Sequence, residues 1–188
     1  MALSSSYQRI HSVLRRSVAP LALPSQLLIK CDTPEAAMMR HGLSYGRTLN
    51  VGFKAVRLHS ECVNTDIAPG PNVDVVADAH DLSLSFAPAT FDTVALMAML
   101  QYCRDPRRVV EQAAIVLKPG GTLLIDAPFV QPYCEDGKDL WRFTDDGLRE
   151  LCRNSFDILD VSIAIGAGSA LAFATQTAAS ARKTPSGS

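Results

Sequence analysis

Two aspartates stand at the ends of short runs with strand character, Asp66 after residues 63–65 and Asp78 after residues 73–77. The second run is rich in valine, as is typical of a strand buried on both faces of a parallel sheet. In an open α/β sheet, ligands bind at the carboxyl ends of the strands. One carboxylate can accept hydrogen bonds from ribose hydroxyls and the other from an exocyclic amine. The two aspartates therefore predict a site for a nucleotide-like ligand.

The segments around these aspartates alternate between strand and helix patterns. Asp105-Pro106 and Thr144 are helix-capping signals, and a shorter helix is expected from Thr33 to about Gly42. This alternation predicts a three-layer, Rossmann-like α/β fold with a doubly wound, mostly parallel sheet and helices on both faces. The predicted strands are residues 47–51, 63–66, 73–77, 91–97, 122–127 and 156–165.

Composition and charge argue against several classes of partner. The 188 residues suit one domain, with 47% hydrophobic and 20% charged residues. A formal net charge of −1 provides no electrostatic footprint for nucleic acid. No stretch approaches the roughly 20 apolar residues of a membrane span. The five cysteines form no C-x-x-C pair, which argues against zinc and a redox couple and indicates a reducing, cytoplasmic location.

The two ends of the chain differ in composition from the middle. Residues 1–32 form a basic leader that contains no acidic residue, with a helix expected over residues 5–16. Such a composition also fits an organellar targeting segment. Residues 33–165 form the predicted α/β domain. In residues 166–188 the sequence turns to small side chains, which predicts an alanine-rich helix over residues 169–180 and a frayed polar end.

The order of motifs resembles that of the class I S-adenosylmethionine-dependent methyltransferases, in particular the type 11 group. A strand, Leu-Lys-Pro-Gly-Gly, strand unit is a common mark of that superfamily, and the segment from Pro-Phe to Arg-Phe-Thr narrows the likeness to a subgroup. The resemblance covers about residues 46–165. The matching stretches are residues 49–52, 63–67, 74–80, 91–94, 117–121, 128–129 and 139–144.

The resemblance implies a cofactor role for residues at four strand ends. Gly52 would lie near the methionine moiety of S-adenosylmethionine, and Asp66 would accept hydrogen bonds from the ribose hydroxyls. Ile67 would flank the adenine. Asp78 would meet the adenine amine, and the backbone amide of Ala79 would reach a ring nitrogen.

The same resemblance implies which residues would lie near the methyl group and the molecule that accepts it. Met97 would line the reactive methyl group. The long loop over residues 128–143 provides the substrate candidates Tyr133, Asp139, Trp141 and Arg142, although Trp141 and Phe143 could instead pin this loop to the core. Methyl transfer depends mainly on orientation, but His80 or Asp139 could act as a base toward a hydroxyl acceptor. His80 could equally form only local hydrogen bonds.

Three departures from the family pattern leave an alternative open. Phe53 and Lys54 follow Gly52 where the family has G-x-G, and Cys134 stands where the subgroup has a histidine. Residues beyond 165 predict no final strand, whereas the family sheet ends in an antiparallel hairpin.

The expected function is methyl transfer to a small molecule such as a saccharide or another hydroxylated metabolite. The alternative is an inactive, methyltransferase-like binding domain. A nicotinamide-dependent oxidoreductase is disfavoured because no G-x-G-x-x-G is present.

We predict that Asp66→Ala lowers the affinity for S-adenosylmethionine and leaves the fold intact, because it removes the acceptor for the ribose hydroxyls. Calorimetric titration of the wild type and the variant measures the difference. An unchanged affinity would remove Asp66 from the site.

Overall fold

The computed structural model describes residues 39–52, 57–135, 137–164 and 169–176 of the chain. The predicted helix over residues 5–16 lies outside these ranges, as do the start of the helix after Thr33 and residues 53 and 54. Residues 39 and 40 are helical, and Gly42, with a φ of 65°, follows them. The amide of Gly42 donates to the carbonyl of Met39 at 3.1 Å, so this helix ends where the sequence predicted.

Seven strands form one sheet in the described part of the chain, in the order β3-β2-β1-β4-β5-β7-β6. Strands β1 to β5 pair in parallel, whereas β7 is antiparallel to both β5 and β6. The predicted α/β class and its doubly wound, mostly parallel sheet are confirmed. The strands are β1 (Thr48–Val51), β2 (Val63–Asp66), β3 (Val75–Val76), β4 (Phe91–Met97), β5 (Leu117–Pro128), β6 (Phe156–Ala164) and β7 (Ser169–Gln176).

Both capping signals begin helices at the predicted residues. Helix α1 (Pro106–Val116) starts with proline at its first position, and the Asp105 carboxylate accepts from the Arg108 amide at 3.0 Å. Helix α2 (Asp145–Cys152) is capped by the hydroxyl of Thr144, which accepts from the Gly147 amide at 3.0 Å. Two 3-10 helices, Ala79–Leu84 and Leu100–Tyr102, follow β3 and β4.

The strand side chains alternate between two apolar clusters, one on each face of the sheet. The main cluster joins strand residues such as Leu49 and Leu123 to Val110 of α1 and Leu148 of α2. The second cluster lies on the opposite face. It contains Ala95, Met97 and Leu124, and the partly buried residues packed against it are Leu43, Tyr45, Leu58 and Leu159.

The third strand differs from its prediction as a strand buried on both faces. β3 contains two residues, lies at the edge of the sheet and pairs only with β2. Val76 is 54% exposed. Single hydrogen bonds, from Asp74 to the carbonyl of Asn64 and from Ala77 to that of Asp66, flank this short pairing. The valine run fits an edge strand as well as a central one, so composition alone could not locate it.

The end of the sheet corrects a second prediction. Residues 169–176 of the predicted alanine-rich helix form strand β7, and the expected absence of a final strand is wrong. β7 lies between β5 and β6, and Ala172, Ala174 and Gln176 are buried with the period of two that a strand requires. The Gln176 side chain donates to the Ala114 carbonyl in α1 at 2.5 Å. Pairing on both sides therefore outweighs the helix propensity of alanine.

We predict that Leu123→Ala lowers the free energy of unfolding by about 2–5 kcal/mol, because this fully buried side chain leaves a cavity in the main cluster. Leu84→Ala is the matched control: that leucine is 85% exposed, and its truncation changes the stability by less than about 0.5 kcal/mol. Urea denaturation measures both. Equal effects of the two substitutions would contradict the packing described for β5.

Candidate functional site

The carboxyl ends of β1, β2 and β3 bring three predicted site residues to one edge of the sheet. Gly52 follows β1, and its amide donates to the Thr65 carbonyl in β2 at 2.9 Å. Asp66 ends β2, and its carbonyl accepts from the Ala77 amide at 3.0 Å, directly before Asp78. The ladder of parallel hydrogen bonds thus sets Gly52, Asp66 and Asp78 on successive neighbouring strand ends.

The turn after β1 requires glycine for two independent reasons. Gly52 has a φ of 83°, in the left-handed region that side chains disfavour. A Cβ atom at Gly52 would also lie 2.4 Å from the Cβ of Met99. Met99 is buried in the main cluster. The glycine predicted from its place after a strand is therefore held tightly against a side chain that follows β4.

Met97 and Met99, at and just after the end of β4, lie in different apolar clusters. Met97 packs in the second cluster with Ala95 and Leu124. Ala98 then adopts a φ of 50° and donates from its amide to the Asp126 carbonyl at 2.8 Å. The chain bends here, and the side chain of Met99 lies against Gly52. The sequence did not predict that Met99 lies against Gly52, because the apolar run over residues 94–100 contains no signal for a left-handed alanine.

Asp66 and Ile67 form the turn after β2. One oxygen of the Asp66 carboxylate, Oδ1, accepts from the amide of Ala68 at 2.9 Å. Such an Asx turn fixes the orientation of the side chain. Ile67 is 71% exposed. Among the described residues, no donor meets the other oxygen of Asp66. The carboxylate can therefore accept from a hydroxyl pair, and the exposed side chain of Ile67 can cover the face of a flat ring.

Asp78 and His80 are joined by two hydrogen bonds after β3. Asp78 Oδ1 accepts from the His80 amide at 2.9 Å and contacts His80 Nδ1 at 2.7 Å. The backbone donor, followed by the ring, holds the pKa of the Asp78 carboxyl below its ordinary value. His80 Nε2 accepts from the Asp105 amide at 3.4 Å. Ala79 between them is buried. Both ring nitrogens of His80 are therefore engaged, which leaves neither available as a base.

Arg142 organises the loop that contains the predicted substrate residues. Its guanidinium donates to both oxygens of the Asp139 carboxylate, at 2.5 and 2.6 Å, and to the carbonyls of Pro132 at 3.1 Å and Trp141 at 2.8 Å. The Asp139 side chain is only 1% exposed. The guanidinium holds the pKa of that carboxyl below its ordinary value. Arg142 and Asp139 thus stabilise the conformation of the loop through hydrogen bonds to each other and to the loop backbone.

The same loop is fastened to the segment that follows β4. The Leu140 amide donates to the Gln101 carbonyl at 2.8 Å, and Trp141 Nε1 donates to the Cys103 carbonyl at 2.8 Å. Phe143 is buried in the main cluster. These contacts favour the reading in which Trp141 and Phe143 pin the loop. Tyr133 is 67% exposed and is the substrate candidate with a free ring.

Tyr102 lies between the end of β4 and the loop and was not singled out from the sequence. Its partial burial, together with a hydrogen bond to the Cys134 side chain, raises the pKa of the Tyr102 hydroxyl. The neighbouring Gln101 is buried and donates from Nε2 to the Ala98 carbonyl at 2.7 Å. The phenol therefore stays protonated near neutral pH. The contact joins distant parts of the sequence, so no local pattern predicts it.

These described residues fit a nucleoside cofactor better than a metal. Across residues 39–52, 57–135, 137–164 and 169–176, no group of three or more histidine, cysteine, aspartate or glutamate side chains is placed to hold a metal ion. Two carboxylates on neighbouring strand ends match the donors of a ribose and an adenine amine.

In the described ranges of the chain, every helix is too short or too polar to cross a membrane.

The doubly wound sheet with its antiparallel last pair is the architecture of the class I methyltransferases that the sequence resembles. The family model for the methyltransferase domain matches residues 43–125, which contain β1 to β4, α1 and most of β5. The resemblance to the type 11 group is thereby confirmed over these residues.

Curated relatives and solved structures are also similar to this chain. The chain is 38% identical over 73 residues to the ubiquinone biosynthesis O-methyltransferase of Xylella fastidiosa strain M23, a match that covers 39% of this chain and 27% of that protein. The chain thus matches about a quarter of the length of that curated relative. The fold is similar to that of the Burkholderia thailandensis 1,6-didemethyltoxoflavin-N1-methyltransferase, which was solved with bound 1,6-didemethyltoxoflavin and S-adenosylhomocysteine. That likeness has a TM-score of 0.60 and 17% identity and covers 94% of this chain and 92% of the other.

The fold is also similar to that of a methyltransferase from Aquifex aeolicus. It superposes with a TM-score of 0.55 at 16% identity, over 87% of this chain and 98% of that chain. At such identities the likeness establishes the fold alone.

We predict that Gly52→Ala lowers the free energy of unfolding by about 2–4 kcal/mol, through the left-handed backbone and the contact with Met99. Urea denaturation of Gly52→Ala, Met99→Gly and the double variant forms a double-mutant cycle, because glycine at 99 removes the Cβ that an alanine at 52 would meet. The double variant should lose about 1–3 kcal/mol less than the sum of the single losses, because only the contact is relieved. Additive losses would contradict the contact.

Proposed function

We propose that this protein is an S-adenosylmethionine-dependent methyltransferase that acts on a hydroxyl of a small molecule. The observation that carries the proposal is the juxtaposition of Gly52, Asp66 and Asp78 at neighbouring strand ends, inside the region that matches the methyltransferase domain. A bound S-adenosylmethionine supplies an electrophilic methyl group on a sulfonium sulfur. Asp66 binds the ribose hydroxyls, Ile67 covers the adenine, Asp78 accepts from its amine, and Ala79 lends its backbone amide.

The rest of the site orients the acceptor. Methyl transfer is an in-line displacement, so holding the nucleophile against the methyl group supplies much of the rate without a strong base. This agrees with the engagement of both His80 nitrogens and with the lowered pKa of Asp139. The exposed ring of Tyr133 and the protonated hydroxyl of Tyr102 are the groups through which the loop side contacts the acceptor.

A hydroxyl is the acceptor group that the relatives favour. The Xylella fastidiosa relative is named as an O-methyltransferase, and we extend that chemistry to this chain. A saccharide or another hydroxylated metabolite is the proposed acceptor class. The inactive binding domain is the weaker candidate, because the left-handed turn at Gly52 and both strand-end acids are retained.

Calorimetric titration with S-adenosylmethionine and S-adenosylhomocysteine tests cofactor binding, and transfer of a labelled methyl group to a panel of phenols, saccharides and aliphatic alcohols tests the reaction. We expect binding of both cofactor forms and labelling of a hydroxylated acceptor. No heat at millimolar ligand would overturn the enzyme assignment. Binding without any transfer would favour the binding domain.

Asp66→Asn sharpens this test, because the amide oxygen can still accept from Ala68 and keep the turn. Loss of the charge should weaken cofactor binding about 10- to 100-fold, the worth of a hydrogen bond to a charged group. Asp157→Asn is the matched control. Asp157 is exposed and pairs in register with Thr175, which pairs with Thr122 near the edge of the sheet opposite to the candidate site. The affinity of Asp157→Asn for the cofactor should therefore equal that of the wild type.

A further inference from the structure

The two oxygens of the Asp78 carboxylate differ in their surroundings. Both donors that reach the carboxylate, the amide and the Nδ1 atom of His80, meet Oδ1. In the described part of the chain, Oδ2 has no hydrogen-bond donor. The Asp78 side chain is 48% exposed. One oxygen is thus held by the protein while the other keeps its capacity to accept from a ligand.

His80 is itself held in place from the first turn of α1. Its Nε2 accepts from the Asp105 amide at 3.4 Å, and its backbone carbonyl accepts from Arg108 Nε at 3.0 Å. A second guanidinium nitrogen of Arg108 donates to Asp81 Oδ1 at 3.1 Å. These contacts join the 3-10 helix after β3 to the start of α1. The imidazole is therefore fixed at both nitrogens as well as through its backbone.

The hydrogen-bond partners also define the tautomer of His80. A carboxylate accepts, so Nδ1 carries the proton, and a backbone amide donates, so Nε2 carries the lone pair. This assignment rests on the partners of the two nitrogens. A neutral imidazole protonated on Nδ1 satisfies both neighbours at once. A base that takes a proton from an acceptor would need a free nitrogen, and the ring offers none.

We propose that His80 is a positioning residue, which orients Asp78 so that Oδ2 accepts from the exocyclic amine of the adenine. This inference rests on the proposed function. By fixing Oδ1, His80 removes the rotation that would let the carboxylate turn away from the base. A fixed anionic acceptor favours adenine, which has an amine at this position, over hypoxanthine, which has a carbonyl oxygen there. His80 thereby sets the selectivity of the site for the purine.

The test compares two ligands that differ at that group, S-adenosylhomocysteine and S-inosylhomocysteine, by calorimetric titration of the wild type and three variants. The wild type should bind the adenine compound at least about tenfold more tightly, the worth of a hydrogen bond to a charged acceptor. In His80→Ala this ratio should fall about fivefold, mainly through weaker binding of the adenine compound. His80→Asn, whose side-chain amide can reach the position of Nδ1, should restore most of the ratio. His80→Gln, which places its amide near Nε2, should not.

The ratio separates positioning from a purely structural role. If His80→Ala weakens both ligands equally, or leaves the ratio unchanged, the inference is wrong although the proposed function stands. Should His80→Ala fail to fold, as judged by circular dichroism, His80→Gln and His80→Asn carry the same comparison. If the wild type binds neither ligand, the proposed function fails and the inference with it.

Discussion

The parallel pairing of β1 with β2 and β4 is the constraint on which the candidate site depends. It sets Val51 opposite Thr65, so that Gly52 follows at a fixed height beside the end of β2. A slip by one residue would turn every β1 side chain to the other face of the sheet. Asn50 and Asn64 are opposite each other and buried, and their side chains are hydrogen-bonded at 3.1 Å. Asn50 Nδ2 reaches Asn64 Oδ1 because these residues are opposite each other, so this buried hydrogen bond favours the observed register of the strand ends.

Much of the sheet and both well-formed helices could be predicted from the sequence because their signals are local. Capping residues act on the next turn of the same helix, as Asp105 and Thr144 do. Strands β2 and β4 have the predicted bounds. The edge position of β3 and the strand state of residues 169–176 depend on partners far along the chain. No local pattern contains that information.

The candidate site likewise has features that the sequence predicts and others that it does not. The aspartates at strand ends follow from the α/β pattern, since the carboxyl ends of parallel strands share an edge. The partners of polar side chains do not follow from it. Arg142 and Asp139 have the residue types of a substrate clamp, yet they are bonded to each other and to the loop backbone. Met99 reaches Gly52 only through the left-handed turn at Ala98. Such roles are decided by tertiary contacts.

Trp141 is the only tryptophan in the chain, and its indole nitrogen is bonded to the Cys103 carbonyl just beyond the end of β4. The ring is partly exposed, so its fluorescence depends on both that bond and the solvent around it. The tryptophan emission of the protein therefore comes from a single point, where the loop meets the central part of the sheet. The unlabelled protein thus contains its own optical reporter of changes in the contact between this loop and the segment that follows β4.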